Sequence, residues 1–324
     1  MKNQILTILT IGFISCFYSV QPAQASAEEV ASANTELNGN TLTLGAITNN
    51  PKKYFDRLHP LSQYLESKLD GSGIEQVSIL LAPDLPTMQT YLNNGQVDVI
   101  SESILSAIKL DNVDMSLLRW KSGMREYRPL LISHKDSGIE SIHDLVGESI
   151  AFEDPKSTSA YLIPMLYFTE HGFDMVEKEN IHQGNLPGHI NYLFATEAYS
   201  TSEQNLAIWS SRQLVGVAAI ANKDWVNNKK FPKHIRDDLH IIYEFEPIPR
   251  ALTLLRSDLD SDVKQRLTQI LMEAKDDPAS FEALRAFKKT SQFSLLSTQE
   301  RQMIEHIQHQ YEALPETQED EHEN

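Results

Sequence analysis

The sequence predicts an α/β protein of two lobes, each a mostly parallel sheet flanked by helices. Two observations carry this expectation. Short apolar, strand-like runs alternate with amphipathic helical patterns from Leu42 onward, as in parallel sheets covered by helices. The chain has 324 residues, enough for two cores once a leader is set aside. No internal repeat breaks the alternation.

Leu42 to Ile47 reads as the first strand, and Thr48 to Pro51 as a turn. Phe55, Leu58, Leu61, Tyr64, Leu65 and Leu69 then recur at helical spacing, and Gly71 to Gly73 ends that helix. Val77 to Leu81 is a strand; Leu85, Met88, Tyr91 and Leu92 mark a short helix closed by Asn94-Gly95. Val97 to Ile100 is a strand, Ser101-Glu102-Ser103 starts a helix to Leu110, and Met115 to Trp120 is a strand again. After Tyr127 come a strand at Leu130 to Ser133, a short helix at Ile139 to Leu145 and a buried strand at Ser149 to Phe152. Ile190, Leu193, Phe194 and Ala198 read as a helix, and so does Leu206 to Trp209. Leu214 to Ala221, Ile241 to Phe245 and Ala251 to Leu255 are strands, the last two joined through Pro247 and Pro249. Val263, Leu267, Ile270 and Leu271 make a long helix, and Leu284, Phe287, Met303, Ile304, Ile307 and Tyr311 give a helical C-terminus.

The termini differ from this pattern. Lys2, an apolar run from Ile5 to Val20 and Ala23-Gln24-Ala25 have the layout of a secretory signal over residues 1–25, cut after Ala25. The mature chain is then expected to be exported, soluble, monomeric and periplasmic. A lipid on Cys16, which follows Phe13-Ile14-Ser15, is the alternative. Residues 26–40 read as a flexible leader, and 315–324 as a disordered acidic tail.

Composition excludes several functions. Cys16 is the single cysteine and leaves with the signal, so a thiol nucleophile, a zinc–thiolate site and an iron–sulfur cluster are ruled out of the mature chain. The formal net charge of −17, without a basic stripe, argues against nucleic acid. No GxxxxGK, GxGxxG, GxSxG or HExxH occurs, and His306 and His309 read as a solvated helix face. No cofactor, no metal and no catalytic activity are expected.

The most informative stretch is Ala151 to Pro164. An apolar strand runs into Asp154-Pro155, and Ser157-Thr158-Ser159 then opens a helical pattern. A helix start leaves backbone N–H groups free, and with hydroxyl donors it suits a small oxyanion. An ordinary cap is the alternative reading of any one of these residues. Glu102 and Ser103 follow a strand at its carboxyl end, where parallel sheets place ligands.

These segments resemble the periplasmic solute-binding proteins of ABC importers for phosphonate, phosphite and phosphate. The resemblance spans roughly Leu42 to Phe293 and rests on segments in a fixed order. They are Pro60-Leu61-Ser62-Gln63-Tyr64-Leu65, Gly95-Gln96-Val97-Asp98-Val99, and Lys135 to Ile139 with Asp144 to Gly147. Phe152 to Pro155 with Ser157-Thr158-Ser159 and Pro164 is the most specific, and Pro249-Arg250 and Arg256-Ser257-Asp258-Leu259 complete the set. The resemblance implies a type II periplasmic-binding fold with the ligand between lobes. Residues 41–127 and 247–314 would form lobe one and 128–246 lobe two, with crossings near Glu126 to Leu130 and Glu244 to Arg250. It implies an oxyanion ligand and an ABC-type membrane permease as partners. Site residues would be Ser157, Thr158, Ser159, Tyr54, Tyr127, Ser103 and Glu102. A periplasmic sensor of the same fold, or a binder of another small organic acid or sulfonate, is the alternative. Gly216 stands where the family often has an acidic residue, which disfavours an aminoalkylphosphonate.

Overall fold

The structure, a computed structural model, describes residues 40–195 and 202–314. The expected signal, Cys16, nearly all of the leader and the acidic tail lie outside the described residues. Two six-stranded sheets and one two-stranded ribbon organise the rest.

In the first sheet, β1 (Thr41–Ile47) pairs in parallel with β2 (Gln76–Ala82) and β3 (Val99–Glu102). β13 (Leu252–Arg256) lies antiparallel between β3 and β4 (Val113–Lys121), and β14 (Thr290–Leu295) closes the edge antiparallel to β4. Four of its six strands share one direction. The second sheet runs β11 (Leu239–Glu244), β6 (Pro129–His134), β10 (Val217–Ala221), β7 (Ser149–Phe152), β9 (Ile190–Phe194), β8 (Met175–Glu177). Here β6 alone is reversed. β7 and β10 are buried along their whole length, which is why they read as unbroken apolar runs. β5 (Glu126–Tyr127) and β12 (Ile248–Pro249) pair antiparallel where the chain passes between the sheets. Pro249 needs no ladder N–H in so short a ribbon.

The helices are α1 (Pro51–Leu69), α2 (Leu85–Asn93), α3 (Ile104–Ile108), α4 (Ile163–Glu170) and α5 (Ser202–Ser211). They continue with α6 (Asn222–Trp225), α7 (Lys233–Arg236), α8 (Ser261–Glu273), α9 (Phe281–Ala286) and α10 (Thr298–Glu312). Asn50 caps α1 by accepting from Lys53 N at 3.1 Å, and α1 buries Leu58, Leu61, Tyr64, Leu65 and Leu69. Gly45 is required where β1 runs under its neighbours, since a Cβ there would stand 2.6 Å from Val97 and 2.7 Å from Ile100.

Three expectations are corrected. Ile190 to Phe194 is strand β9, because Ile190 to Leu193 are buried on both faces, and a short apolar run carries no period to separate strand from helix. Ser101 and Glu102 finish β3, and the helix begins only after Ser103, its N-cap. The C-terminal part is not wholly helical: β14, mostly polar and at a sheet edge, stands between α9 and α10.

Two of the resembling segments meet in space. Asp98 accepts from Thr43 N at 2.7 Å and pairs with Arg256 Nη2 at 2.9 Å, tying β1, the entry to β3 and the end of β13 together. Burial raises the Asp98 carboxyl pKa despite these partners. The two sheets also share apolar packing. Leu162, Leu166 and Ala221 cluster with Ile104, Leu105, Ile304 and Ile307.

Candidate functional site

A cavity of about 730 Å³ opens where several chain ends meet. Ser101, Glu102 and Ser103 reach it from the carboxyl end of β3, Arg119, Lys121 and Ser122 from that of β4. Lys223, Asp224, Asn227 and Lys230 face it from the segment after β10, and Arg250 and Ala251 from the chain leaving the ribbon. Tyr54 and Arg57 of α1 and the Arg285 to Lys289 turn complete it. Carboxyl ends of parallel strands are the usual place for ligands in open α/β sheets.

The lining is cationic in an acidic protein. Nine Lys and Arg face two carboxylates, Glu102 and Asp224, among the described residues. Glu102 lies 3.6 Å from Lys288 Nζ, so its charge is paired. Asp224 holds Lys223 at 2.6 Å and Lys230 at 2.8 Å. Arg119 is 3 % exposed; it donates from Nε to Ser101 Oγ at 2.7 Å and from Nη1 to Thr290 Oγ1 at 3.2 Å. Burial is the first cause of the shifts in these groups, opposed by Glu102 at Arg119 and Lys288 and by Asp224 at Lys223. Lys121 is brought down to about 7 by burial and by Arg250, Arg119, Lys223 and Lys288. Burial also lowers Lys223 and Lys288, and it takes Arg119 to about 10. Lys288 and Lys289 both adopt left-handed backbone, at φ 52° and 56°, a conformation that costs a non-glycine residue roughly 1–2 kcal/mol.

Of the residues singled out in the sequence, Tyr54, Glu102 and Ser103 line this cavity. The Tyr54 ring carries Arg57 at 5.6 Å and Lys288 at 5.5 Å. Ser103 Oγ accepts from Ser106 N at 3.4 Å as the α3 cap. Ser157, Thr158, Ser159 and Tyr127 stand outside the lining. Ser157 Oγ donates to Glu153 at 2.9 Å and accepts from Ala160 N at 3.2 Å. Thr158 Oγ1 accepts from Leu105 N at 3.2 Å, so a hydroxyl from one side of the ribbon serves the first turn of α3 on the other. Thr158 and Ser159 are buried, and Ser159 and Arg250 act on the buried Tyr127 hydroxyl against the burial that raises its pKa. Arg250 lies over the Tyr127 ring at 4.5 Å, so this turn touches the cavity wall from behind.

Gly216 precedes β10 at its amino end, whereas the cavity residues follow its carboxyl end. A Cβ at Gly216 would meet Ile139 and Glu148, not the cavity. Gly216 is not among the residues that line this cavity. Sequence reasoning missed Arg119, Lys121 and Lys288, which come from two separate segments, the end of β4 and the turn before β14. Arg250 was visible only as part of the Pro249-Arg250 pair. Among the described residues no group of three His, Cys, Asp or Glu is placed to hold a metal, and no helix is long and apolar enough to cross a membrane.

Residues 45–300 match the family model described as the periplasmic substrate-binding protein of phosphonate ABC transporters. The chain belongs to that family. XAC2383 from Xanthomonas citri, solved bound to chloride ion and bound to ATP, is 30 % identical. The alignment with the ATP-bound form covers 84 % of this chain and 97 % of that one, at a TM-score of 0.74. PhnD1 from Prochlorococcus marinus, solved with methylphosphonate, shares the fold at 17 % identity and a TM-score of 0.54, over 86 % of this chain and all of that one. The tetrathionate sensor histidine kinase TtrS of Salmonella typhimurium is 23 % identical over 139 residues; the match takes in 40 % of this chain and 22 % of that protein. The chain thus spans about a fifth of that curated relative. Membership places this chain among the periplasmic substrate-binding proteins of the ABC-transporter class.

Proposed function

We propose that this protein captures an anion bearing a phosphonate, phosphite or phosphate group in the cationic cavity and delivers it to an ABC importer. The carrying observation is the cavity's charge. Nine cationic side chains converge on one opening while the whole chain carries a formal −17. Such a cavity concentrates field from low-dielectric walls and draws anions despite the acidic exterior. The methylphosphonate complex of PhnD1 and the ATP complex of XAC2383 support a ligand of phosphorus oxyanion chemistry. Tyr54 and Ser103 supply hydroxyls at the wall, and Glu102 with Lys288 fixes the charge beside them. The Ser157-Thr158-Ser159 turn supports the wall through Tyr127 and Arg250. Delivery as an exported monomer follows the signal-like residues 1–25.

Calorimetric titration of the mature chain with methylphosphonate, phosphite and phosphate, against acetate at equal ionic strength, tests the reading. Saturable binding of at least one phosphorus oxyanion, with acetate silent, is expected; equal heats for acetate would overturn it.

A sensing role is the second reading, favoured by the match to a segment of a sensor histidine kinase. Stimulation of a reconstituted permease–ATPase by the loaded protein marks import, and its absence marks sensing.

A further inference from the structure

The cavity holds more charge and more space than one oxyanion uses. A phosphate or phosphonate brings one or two negative charges, and the two acidic lining residues are already held by Lys288, Lys223 and Lys230. A tetrahedral oxyanion has the bulk of a few water molecules, each taking about 30 Å³, and would leave most of the 730 Å³ to solvent.

The cations stand on separate walls. Arg57, Arg285 and Lys289 come from α1, α9 and the turn before β14, whereas Lys223 and Lys230 come from the segment after β10. Lys121 ends β4, and Arg250 follows the ribbon strand β12 in the chain's passage from one sheet to the other. Arg250 Nε is buried and has no hydrogen-bond partner, although a buried guanidinium N–H ordinarily finds one. Lys121 is lowered by burial first and then by Arg250, Arg119, Lys223 and Lys288, a set of cations with few acidic neighbours. Two successive lysines held at left-handed φ place a strained turn at the cavity edge, where strain tends to accompany function.

We infer that the cleft is built for a ligand with two or more linked phosphoryl groups, a diphosphate or triphosphate chain laid between the two cationic walls. This rests on the anion capture proposed above and names its substrate class. The phosphoryl chain itself carries the recognition. The uncharged apolar residues of the lining are Met124, Ala251 and Ala286, and the Tyr54 ring already lies between two cations.

Titration of the full mature chain with orthophosphate, methylphosphonate, diphosphate, tripolyphosphate and citrate, at fixed ionic strength without divalent metal, tests this. Tripolyphosphate is expected to bind at least about a hundredfold more tightly than orthophosphate, a difference of roughly 2.7 kcal/mol. Arg57→Gln with Lys289→Gln should weaken tripolyphosphate at least about tenfold more than orthophosphate, with circular dichroism showing a native fold. Orthophosphate or methylphosphonate binding as tightly as tripolyphosphate overturns the inference and leaves anion capture standing. Citrate matching tripolyphosphate overturns the phosphoryl class. An equal loss for both phosphates in the double variant overturns the two-wall arrangement. Silence from all phosphorus ligands overturns the inference and the proposed function together.

Discussion

Two regions of this molecule present donors at the mouth of a sheet, and they use them in opposite ways. At the Ser157-Thr158-Ser159 turn the hydroxyls are used inside the protein: Ser157 donates to Glu153, Thr158 accepts from Leu105 N in the first turn of α3, and Ser159 lies against Tyr127. In the cavity, cations crowd one another, Lys121 is pushed down, and Arg250 Nε is left without a partner. Buried polar groups that find protein partners build structure. Groups that repel their neighbours await something from outside. The first region was the more conspicuous in sequence, and the second is the better candidate for a ligand.

The largest expected effect sharpens that contrast. Arg250→Ala removes the guanidinium whose Nε has no hydrogen-bond partner. If a phosphoryl ligand pairs with it away from water, affinity for that ligand should drop by a hundredfold or more, since truncating one member of a buried charge pair costs about 2–5 kcal/mol. Titration calorimetry measures it. A folded variant with wild-type affinity would place the ligand elsewhere.

A smaller effect follows from Lys121. Its free ammonium titrates near pH 7, and a bound anion favours the charged form, so binding raises that pKa. A group raised in the complex contributes in full below its free value and is lost as pH climbs above it. Comparing wild type with Lys121→Met cancels the ligand's own protonation. The wild-type advantage should shrink on the order of tenfold between pH 7 and 8.5, as about 1.4 kcal/mol per pKa unit implies. A pH-independent ratio would remove Lys121 from the site.

How much was legible beforehand depended on whether the signal was local. The α/β alternation, the crossing near Tyr127 and Pro249, and the helix faces of α1 and α8 are periodic or punctuated, so the sequence displays them. β9 was misread because its residues are buried on both faces and show no period. β14 was missed because an edge strand of mostly polar residues resembles a loop. Glu102 and Ser103, which line the cavity, were singled out from a strand end, which is visible in sequence, and Tyr54 from the family resemblance. The cationic walls were not, because Arg57, Arg119, Lys223 and Lys288 are brought together only by the fold. The Asp98–Arg256 pair lies between: both segments were noticed, but their 2.9 Å contact was not foreseeable from 158 residues of separation.

The smallest effect on binding is expected at the conspicuous motif, and it is the most direct way to break the comparison. Ser157→Ala with Ser159→Ala removes the acceptor for Ala160 N and a hydroxyl beside Tyr127. Loss of the cap costs about 1 kcal/mol. Thermal or urea unfolding should register this. Ligand affinity should stay within about threefold of wild type, under 1 kcal/mol, because neither hydroxyl lines the cavity. The outcome against this is a variant with native circular dichroism whose affinity falls a hundredfold. That would put the anion at the helix start, with the serines as its direct donors, and leave the cationic walls only to steer it there.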